Sequence, residues 1–278
     1  MRNKAEIGII GGSGFYEFFA RPPKPEGRRW EKGKWIDVKT PYGKPSDKVF
    51  LGNYKGRKIA FLPRHGRGHK IPPHMINYRA NIWAMKQLGV KAIISPAAVG
   101  SLQPNIKRGD FVLCDDFIDR TRGRKDTFFE KDKVVHISSA DCYCKELSKI
   151  ALKVFKNNKL KAHAKGTVVV IQGPRFSTKG ESKWFTDMGW DVVNMTQYPE
   201  VVLSREAEIC YLNISLVTDY DVGLVGEKGI KPVSIEEVIR VFGQNIEKVK
   251  KVILDIIEKI PKNYHCRQCH EALKGAVI

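Results

Sequence analysis

Residues 167–218 read TVVVIQGPRFSTKGESKWFTDMGWDVVNMTQYPEVVLSREAEICYLNISLVT, and this stretch decides the fold. Thr167–Ile171 is five β-favouring residues, and Glu181–Met188 is helical and stops at Gly189. Val192–Asn194 then reads as a strand, Glu200–Tyr211 as a helix and Asn213–Thr218 as a strand. Strands and helices taking turns in this way argue for a parallel sheet with helices on both faces.

Working outward, the alternation continues. Lys91–Ser95 and Asp110–Cys114 are apolar strands, and Lys145–Phe155 is a helix. Pro73–Leu88 has helical apolar spacing and stops at Gly89, while Lys48–Asn53 and Arg57–Leu62 form a β-hairpin signal around Tyr54-Lys55-Gly56. Glu6–Ile10 is a short buried strand running into a glycine turn, and Arg21–Asp47 reads as a long surface loop. On the far side, Ser234-Ile-Glu-Glu237 is a capping box after Pro232, opening an amphipathic helix to about Lys259. The expectation is one α/β domain over residues 1–260, built on a twisted, largely parallel mixed β-sheet flanked by helices. Residues 261–278 follow as a cysteine-containing tail.

The chain has 278 residues, 42% of them hydrophobic, which is ample for a full core. Met1–Glu6 is charged and Ile7–Phe19 is broken by glycines, so no signal peptide is read, and no apolar run approaches a bilayer span. A soluble, cytoplasmic protein is expected. The net charge of +19 admits three readings: a solvated Lys-rich surface, a nucleic-acid partner or a small anionic substrate. The basic residues are spread along the chain, with modest clusters at Arg21–Lys34 and Arg120–Lys125 and no aromatic-basic RNA signature. That distribution favours the surface and the small anion.

Ligands of such sheets collect at the carboxyl ends of the strands. Unusual residues lie at those ends. Gly11-Gly-Ser-Gly14 lets the backbone approach an anion and adds the Ser13 hydroxyl, although Glu17 denies it the full dinucleotide pattern. Pro63-Arg-His-Gly-Arg-Gly-His69 is a cationic loop in which Arg64 can offer a bidentate fork to phosphate. Ser95-Pro-Ala-Ala-Val-Gly-Ser101 places small residues after a strand, where backbone N–H groups would be free. Phe176, in Gln172-Gly-Pro-Arg-Phe-Ser177, would stack on a base or fill the core. Asn194-Met-Thr196 offers a thioether beside a hydroxyl, and Thr218-Asp-Tyr-Asp221 ends the last strand with two carboxylates.

The ordered set GIIGGSG, TPYGKPSD, PRHGRGH, NYRANIWA, FIDRT, GPRFST, NMTQYPEVVLSREAEICY and TDYD resembles the trimeric branch of the purine nucleoside phosphorylase family, from Ile7 to about Lys259. Within it, the likeness is greatest to members acting on 5′-methylthioadenosine. The resemblance implies that phosphate is held by Ser13, Arg64, His65, the backbone at Ala97 and Ala98, and Thr196. It implies Met195 under the ribose, Phe176 and Tyr220 by the purine, and Asp219 and Asp221 as the catalytic pair facing N7 and the 6-amino group. His136 would complete a neighbouring subunit's site in a homo-oligomer, a trimer or a dimer of trimers. Ser177 and Ile235 would tune base and 5′-group preference. Two departures are expected to matter: Ala97 stands where many relatives carry threonine, and Gln197-Tyr198 would reshape the floor of the site.

The implied reaction is phosphorolysis, with inorganic phosphate as co-substrate and no metal or organic cofactor. Adenine is preferred because a carboxylate accepts from a 6-amino group, whereas a 6-oxo purine presents an acceptor. A phosphorylase of inosine-type or 5′-methylthioinosine substrates is the nearest alternative. A basic nucleic-acid-binding protein and a redox or metal protein built on the tail are alternatives of other classes.

The six cysteines are Cys114, Cys142, Cys144, Cys210, Cys266 and Cys269. Cys266-Arg-Gln-Cys269-His270 matches a haem-attachment pattern, but it sits on a terminal tail, and haem attachment needs an export that is not expected here. Zinc needs four ligands, and the segment offers at most Cys266, Cys269 and a flanking His265 or His270. A redox-active or disulfide-bonded pair and plain free thiols remain as readings.

Overall fold

The computed structural model describes residues 4–15, 31–131, 133–224, 226, 230 and 234–278. Among the described residues, eleven strands make one sheet. They are β1 (Ile7–Gly11), β2 (Glu31–Ile36), β3 (Val49–Tyr54), β4 (Arg57–Pro63), β5 (Ala92–Ser101), β6 (Phe111–Val112), β7 (Asp116–Arg120), β8 (Ala162–His163), β9 (Thr167–Ile171), β10 (Val192–Asn194) and β11 (Cys210–Tyr220). Their order is β2-β3-β4-β1-β5-β10-β9-β7, with β11 on β5 and β6, and β8 on β6. Parallel pairs join β1 to β4 and β5, β5 to β11, β9 to β7 and β10, and β6 to β8. Antiparallel pairs join β2 to β3, β3 to β4, β10 to β5 and β11 to β6, so the sheet is mixed and largely parallel as expected.

The helices are α1 (Tyr78–Gln87), α2 (Lys145–Asn157), α3 (Lys179–Asp187), α4 (Gln197–Glu206), α5 (Ile235–Lys259) and α6 (Arg267–His270). They cover both faces because successive residues of a strand point to opposite sides. On β11, Leu212, Ile214 and Leu216 pack with Leu147 and Val154 of α2 and Val252 and Ile256 of α5. Tyr211 and Val217 face the other way, onto Ile82 and Met85 of α1 and Val201 and Leu203 of α4. The tail is part of this packing: Ile260, Cys266 and Cys269 are buried in the α2–α5 core.

Four readings are corrected. The expected loop 21–47 contains β2, and its residues 21–30 lie outside the described ones. β7, which overlaps the FIDRT stretch, carries no strand pattern in the sequence because Phe117 and Ile118 are flanked by Asp116, Asp119 and Arg120. The helix read over Glu200–Tyr211 ends at Glu206, since Cys210 and Tyr211 open a buried strand whose apolar run periodicity cannot separate from a buried helix. At Ser234 only half of the capping box forms: the hydroxyl accepts from Glu237 N–H, but Glu237 engages Arg108 and Arg240 instead. The reciprocal box is at Thr178 and Glu181, opening α3. Pro232 lies outside the described residues.

Among the described residues, no helix is long and apolar enough to cross a membrane.

Candidate active site

β5 organises the site. It does not end at Ser95 but runs on to Ser101, paired along its whole length with β11. On its other edge β1 leaves after Ile94, and β10 joins only at Gly100. Between those points no strand of the described residues lies on that edge of β5. The Pro96 carbonyl faces this gap, toward Arg64, and strand alternation puts the Ala98 N–H on the same edge. The free backbone donor expected after a strand thus exists as an unpaired edge within one. Ala97 is buried and Ala98 half-buried.

Arg64 follows β4 directly and is buried. Its Nε donates to Glu200 Oε1 (2.8 Å) and its Nη2 to Glu200 Oε2 (3.1 Å). Nη2 also reaches Ser95 Oγ (2.6 Å) and the Ile10 carbonyl (2.9 Å), while Nη1 meets the Pro96 carbonyl at 3.3 Å. The guanidinium fork expected for phosphate is therefore taken by Glu200. Only the second Nη1 hydrogen is left for an anion. Burial opposes the charge, but the Glu200 carboxylate beside it outweighs burial and holds the guanidinium pKa above its usual range.

His65 departs further from expectation. Its Nδ1 lies 2.9 Å from the Ile71 carbonyl, an acceptor only, so Nδ1 carries the hydrogen and Nε2 presents a lone pair. Burial, followed by the Arg64 charge, pushes its pKa down to about 3. His65 is a neutral ring, stacked on His69 at 4.2 Å, and not a cation.

Thr196 closes this end. It is the N-cap of α4, yet its hydroxyl caps nothing; Asn194 Oδ1 accepts from the Thr196 and Gln197 N–H groups instead. The Thr196 hydroxyl is buried beside Asn194 Nδ2 at 3.4 Å and is aimed by a helix start. Ser13 begins a single 3-10 turn after β1; its side chain lies outside what is described.

Asp219 and Asp221 occupy the other end. The register of β11 shifts between Val217 and Asp219, and such an irregularity re-aims a side chain. Thr218 Oγ1 donates to Asp219 Oδ1 at 2.7 Å. Burial raises the Asp219 carboxyl, Thr218 pulls it back, and Asp221 raises it again, to about 7. Burial also raises Asp221, against the pull of the Ser182 and Ser177 hydroxyls. Asp221 Oδ2 and Ser177 Oγ are buried without a hydrogen bond of normal geometry among the described residues. Buried polar atoms held this loosely at a strand end can turn to a ligand. Tyr220 lies under the Arg108 guanidinium (5.6 Å), and Arg108 bonds Glu237 of α5 at 2.5 Å. Through that pair the first turn of α5 is tied to this end of β11, and Ile235 and Ile239 stand exposed in the first two turns of that helix.

Met195 directly follows β10, and Phe176 lies five residues beyond the adjoining β9; between them Gly173 lies just past β9, and a Cβ there would meet Met195 Sδ at 2.7 Å. Phe176 is partly exposed and outside the core, which removes the core-filling reading of that ring. The Gln197 side chain is engaged in the core. It is buried, accepts from Tyr143 OH (2.7 Å) and donates to Ser215 Oγ (3.2 Å), while Tyr198 bonds Asp126 and stacks on Phe117. His136 is exposed and is not brought to these groups; its N–H donates to the Ala276 carbonyl in the tail.

Residues 6–258 match the family model of the phosphorylase superfamily. The chain belongs to that superfamily. An S-methyl-5′-thioadenosine phosphorylase from Nitrosopumilus maritimus is 48% identical over 276 residues, covering 99% of each chain. A purine nucleoside phosphorylase from Streptomyces coelicolor is 45% identical, covering 93% of this chain and 90% of its own. The crystal structure of a methylthioadenosine phosphorylase from an Antarctic soil metagenomic library superposes with a TM-score of 0.89 at 39% identity, over 100% of this chain and 93% of that one.

Sequence reading of this phosphorylase-superfamily chain missed Glu200 and Arg108, and took Ser95 and Gly100 only as small residues of a backbone-donor run. Glu200 had a signal, a lone acid in the apolar run Pro199–Leu203, since a buried carboxylate needs a partner. Gly100 had none: a Cβ there would stand 2.9 Å from Asp219 Oδ2 and 3.1 Å from Val193 Cγ1, so only glycine lets the carboxylate lie across β5. The basic cluster at 120–125 is used internally. Arg124 bonds the Tyr198 and Gln172 carbonyls, and Arg120 lies over Trp184 at 4.8 Å. A cavity of about 550 Å³ opens between Arg120, Arg122, Gln172, Arg175 and Trp184, but Arg64, Thr196, Asp219 and Asp221 are not on its walls.

All six cysteines are free. The pair expected within the tail is not disulfide-bonded, and the ligand count that set zinc aside is corrected. Cys144 and Cys210 lie beside Cys266 and Cys269, with all four sulfurs within 4.8 Å of one another.

Proposed function

We propose that this protein cleaves 5′-methylthioadenosine with inorganic phosphate, giving adenine and 5-methylthioribose 1-phosphate for purine and methionine salvage. The observation that carries the reading is Asp219, a buried carboxyl raised to about 7 at the carboxyl end of β11, in a chain of the phosphorylase superfamily. Such a group holds a proton near neutrality and can donate it as general acid.

Phosphate attacks C1′ as the C–N bond to the purine breaks, and the sugar passes through oxocarbenium character. The electron pair of that bond goes to the base, and the Asp219 proton goes to N7, so adenine leaves neutral. Asp221 Oδ2, buried and without a hydrogen bond of normal geometry, accepts from the 6-amino group. At the other end, Thr196, the Ala98 N–H, the remaining Arg64 hydrogen and the Ser13 turn hold the anion under C1′. His65 presents a lone pair, so it accepts from the hydroxyl of a monoprotonated phosphate. Met195 supports the ribose, with Phe176 and Tyr220 by the base and Ser177 and Ile235 lining the substituents. Pro96 and Gly100, four residues apart on β5, separate the two ends by roughly 13 Å, room for phosphate and nucleoside end to end. The chemistry asks for no metal and no organic cofactor.

A homo-oligomer with His136 completing a neighbour's site is part of this reading. Exposed Trp184 and Met188, one turn apart, offer apolar surface for another copy to cover. Six free thiols suit the reducing cytoplasm. Incubation with several nucleosides, with and without phosphate, and identification of the released base tests the proposal. Phosphate-dependent release of adenine from methylthioadenosine is expected. Equal turnover without phosphate would make the enzyme a hydrolase.

A further inference from the structure

The thiol cluster lies at the other end of β11 from Asp219. Cys210 is the first residue of that strand, nine positions before Asp219, which is roughly 30 Å along an extended chain. Cys144 immediately precedes α2, and Cys266 and Cys269 flank the start of α6. All four side chains are buried, and the Cys144 and Cys266 sulfurs are 3.9 Å apart. With Zn–S bonds of about 2.3 Å, the edge of a tetrahedron of sulfurs is about 3.8 Å. The spacing is far longer than an S–S bond of about 2.05 Å and close to that edge.

The surroundings favour sulfur anions. Tyr264 OH lies 3.2 Å from Cys144 Sγ. His270 Nδ1 accepts from the Cys266 N–H, which places the ring hydrogen on Nε2, and Nε2 lies 3.6 Å from Cys210 Sγ and 3.0 Å from the Lys91 carbonyl. Cys144 also stands at the N-terminus of α2, where thiolate is favoured. Four neighbouring thiolates repel one another, and a divalent cation between them offsets that repulsion.

We propose that Cys144, Cys210, Cys266 and Cys269 form a tetrathiolate site for a structural zinc ion. Binding replaces the thiol protons by four Zn–S bonds and releases those protons to solvent, with no change of oxidation state. With no fifth position for water in a closed tetrahedral site, the ion is structural and not catalytic. It locks residues 266–278 onto β11 and α2. That lock reaches further, because the tail ends on the His136 segment: His136 N–H donates to the Ala276 carbonyl, Ile278 N–H donates to the Val134 carbonyl, and Val135 bridges Val277.

The test uses the full chain, produced with zinc and freed of excess ion under mild reductant. Elemental analysis is expected to give one zinc per chain. Cobalt replacement should give the intense thiolate charge-transfer and visible bands of a tetrahedral site. Cys269→Ser should lower the zinc content at least tenfold, whereas Cys142→Ser, outside the cluster, should leave it unchanged. Hydrogen exchange on the wild-type chain, with and without a strong chelator, provides a readout independent of any variant's folding: protection at 134–138 and 266–278 should fall on zinc removal. Zinc below a tenth of an equivalent in the wild-type chain would overturn the proposal. So would two disulfides by mass under mild reductant, or zinc retained by Cys269→Ser.

Discussion

Replacing Asp219 by Asn separates the cost of an ionised carboxyl from its use. In the folded chain this group is raised from 3.8 to about 7, chiefly by burial. That gap corresponds to about 4 kcal/mol at 1.36 kcal/mol per pKa unit, an upper figure because the site relaxes on ionisation. The folded state holds the proton more tightly than the unfolded chain. The contribution of Asp219 to stability is therefore full below pH about 4, declines as pH rises through about 7, and is absent above. Asn cannot ionise, and its Oδ1 can keep the 2.7 Å bond from Thr218. In phosphate-free and nucleoside-free buffer, scanning calorimetry should find the two proteins close in Tm at pH 4 and the variant higher at pH 8. At about 2–4 °C per kcal/mol, the difference should be several degrees and at most about 15 °C. In the base-release assay the same variant should lose on the order of 10²-fold with methylthioadenosine, the weight of a positioned acid, and less with methylthioinosine, whose O6 can accept from Asn. A Tm difference that does not change with pH would show that Asp219 is not raised. Equal losses on both nucleosides would take it away from the base.

Arg64→Ala should strand the buried Glu200 carboxylate and cost about 3–5 kcal/mol in urea unfolding, while Arg64→Met with Glu200→Leu should cost less than Arg64→Ala alone; equal costs would mean the pair is not coupled. Gly100→Ala should lower kcat/KM tenfold or more, because its Cβ displaces Asp219, with under about 2 kcal/mol lost in stability; full activity would release Asp219 from the reaction. His65, lowered to about 3, should show no ring titration between pH 5 and 8 by nitrogen NMR. The unfolded ring takes up a proton near 6.5, so wild-type stability gained from neutral His65 is present above that pH and lost as pH falls toward 3; a ring titrating near 6.5 would refute this. His136→Ala should weaken methylthioadenosine more than adenosine and leave the phosphate KM unchanged, and a fully active monomer in light scattering would remove the shared site.

What the amino-acid sequence determined by itself was local: where apolar runs alternate with helical spacing, and which strand ends carry unusual residues. Those are short-range properties, set by periodicity and by glycine and proline punctuation. The mixed sheet, the placement of Arg64, Thr196, Asp219 and Asp221 near strand ends, and the long helix to Lys259 all followed from them. Charge state was not local. Arg64 and His65 read as a cationic pair, but a guanidinium is only as available as its partners allow, and Glu200 lies 136 residues away. His65 is neutral because the Ile71 carbonyl and burial make it so, and neither is visible in PRHGRGH. The length of β5 and the gap along its edge depend on which strands lie beside it. The cysteine cluster is the plainest case: CxxC in a tail offers two ligands, and the other two come from the start of β11 and the residue before α2, brought within reach only when the tail folds into the core.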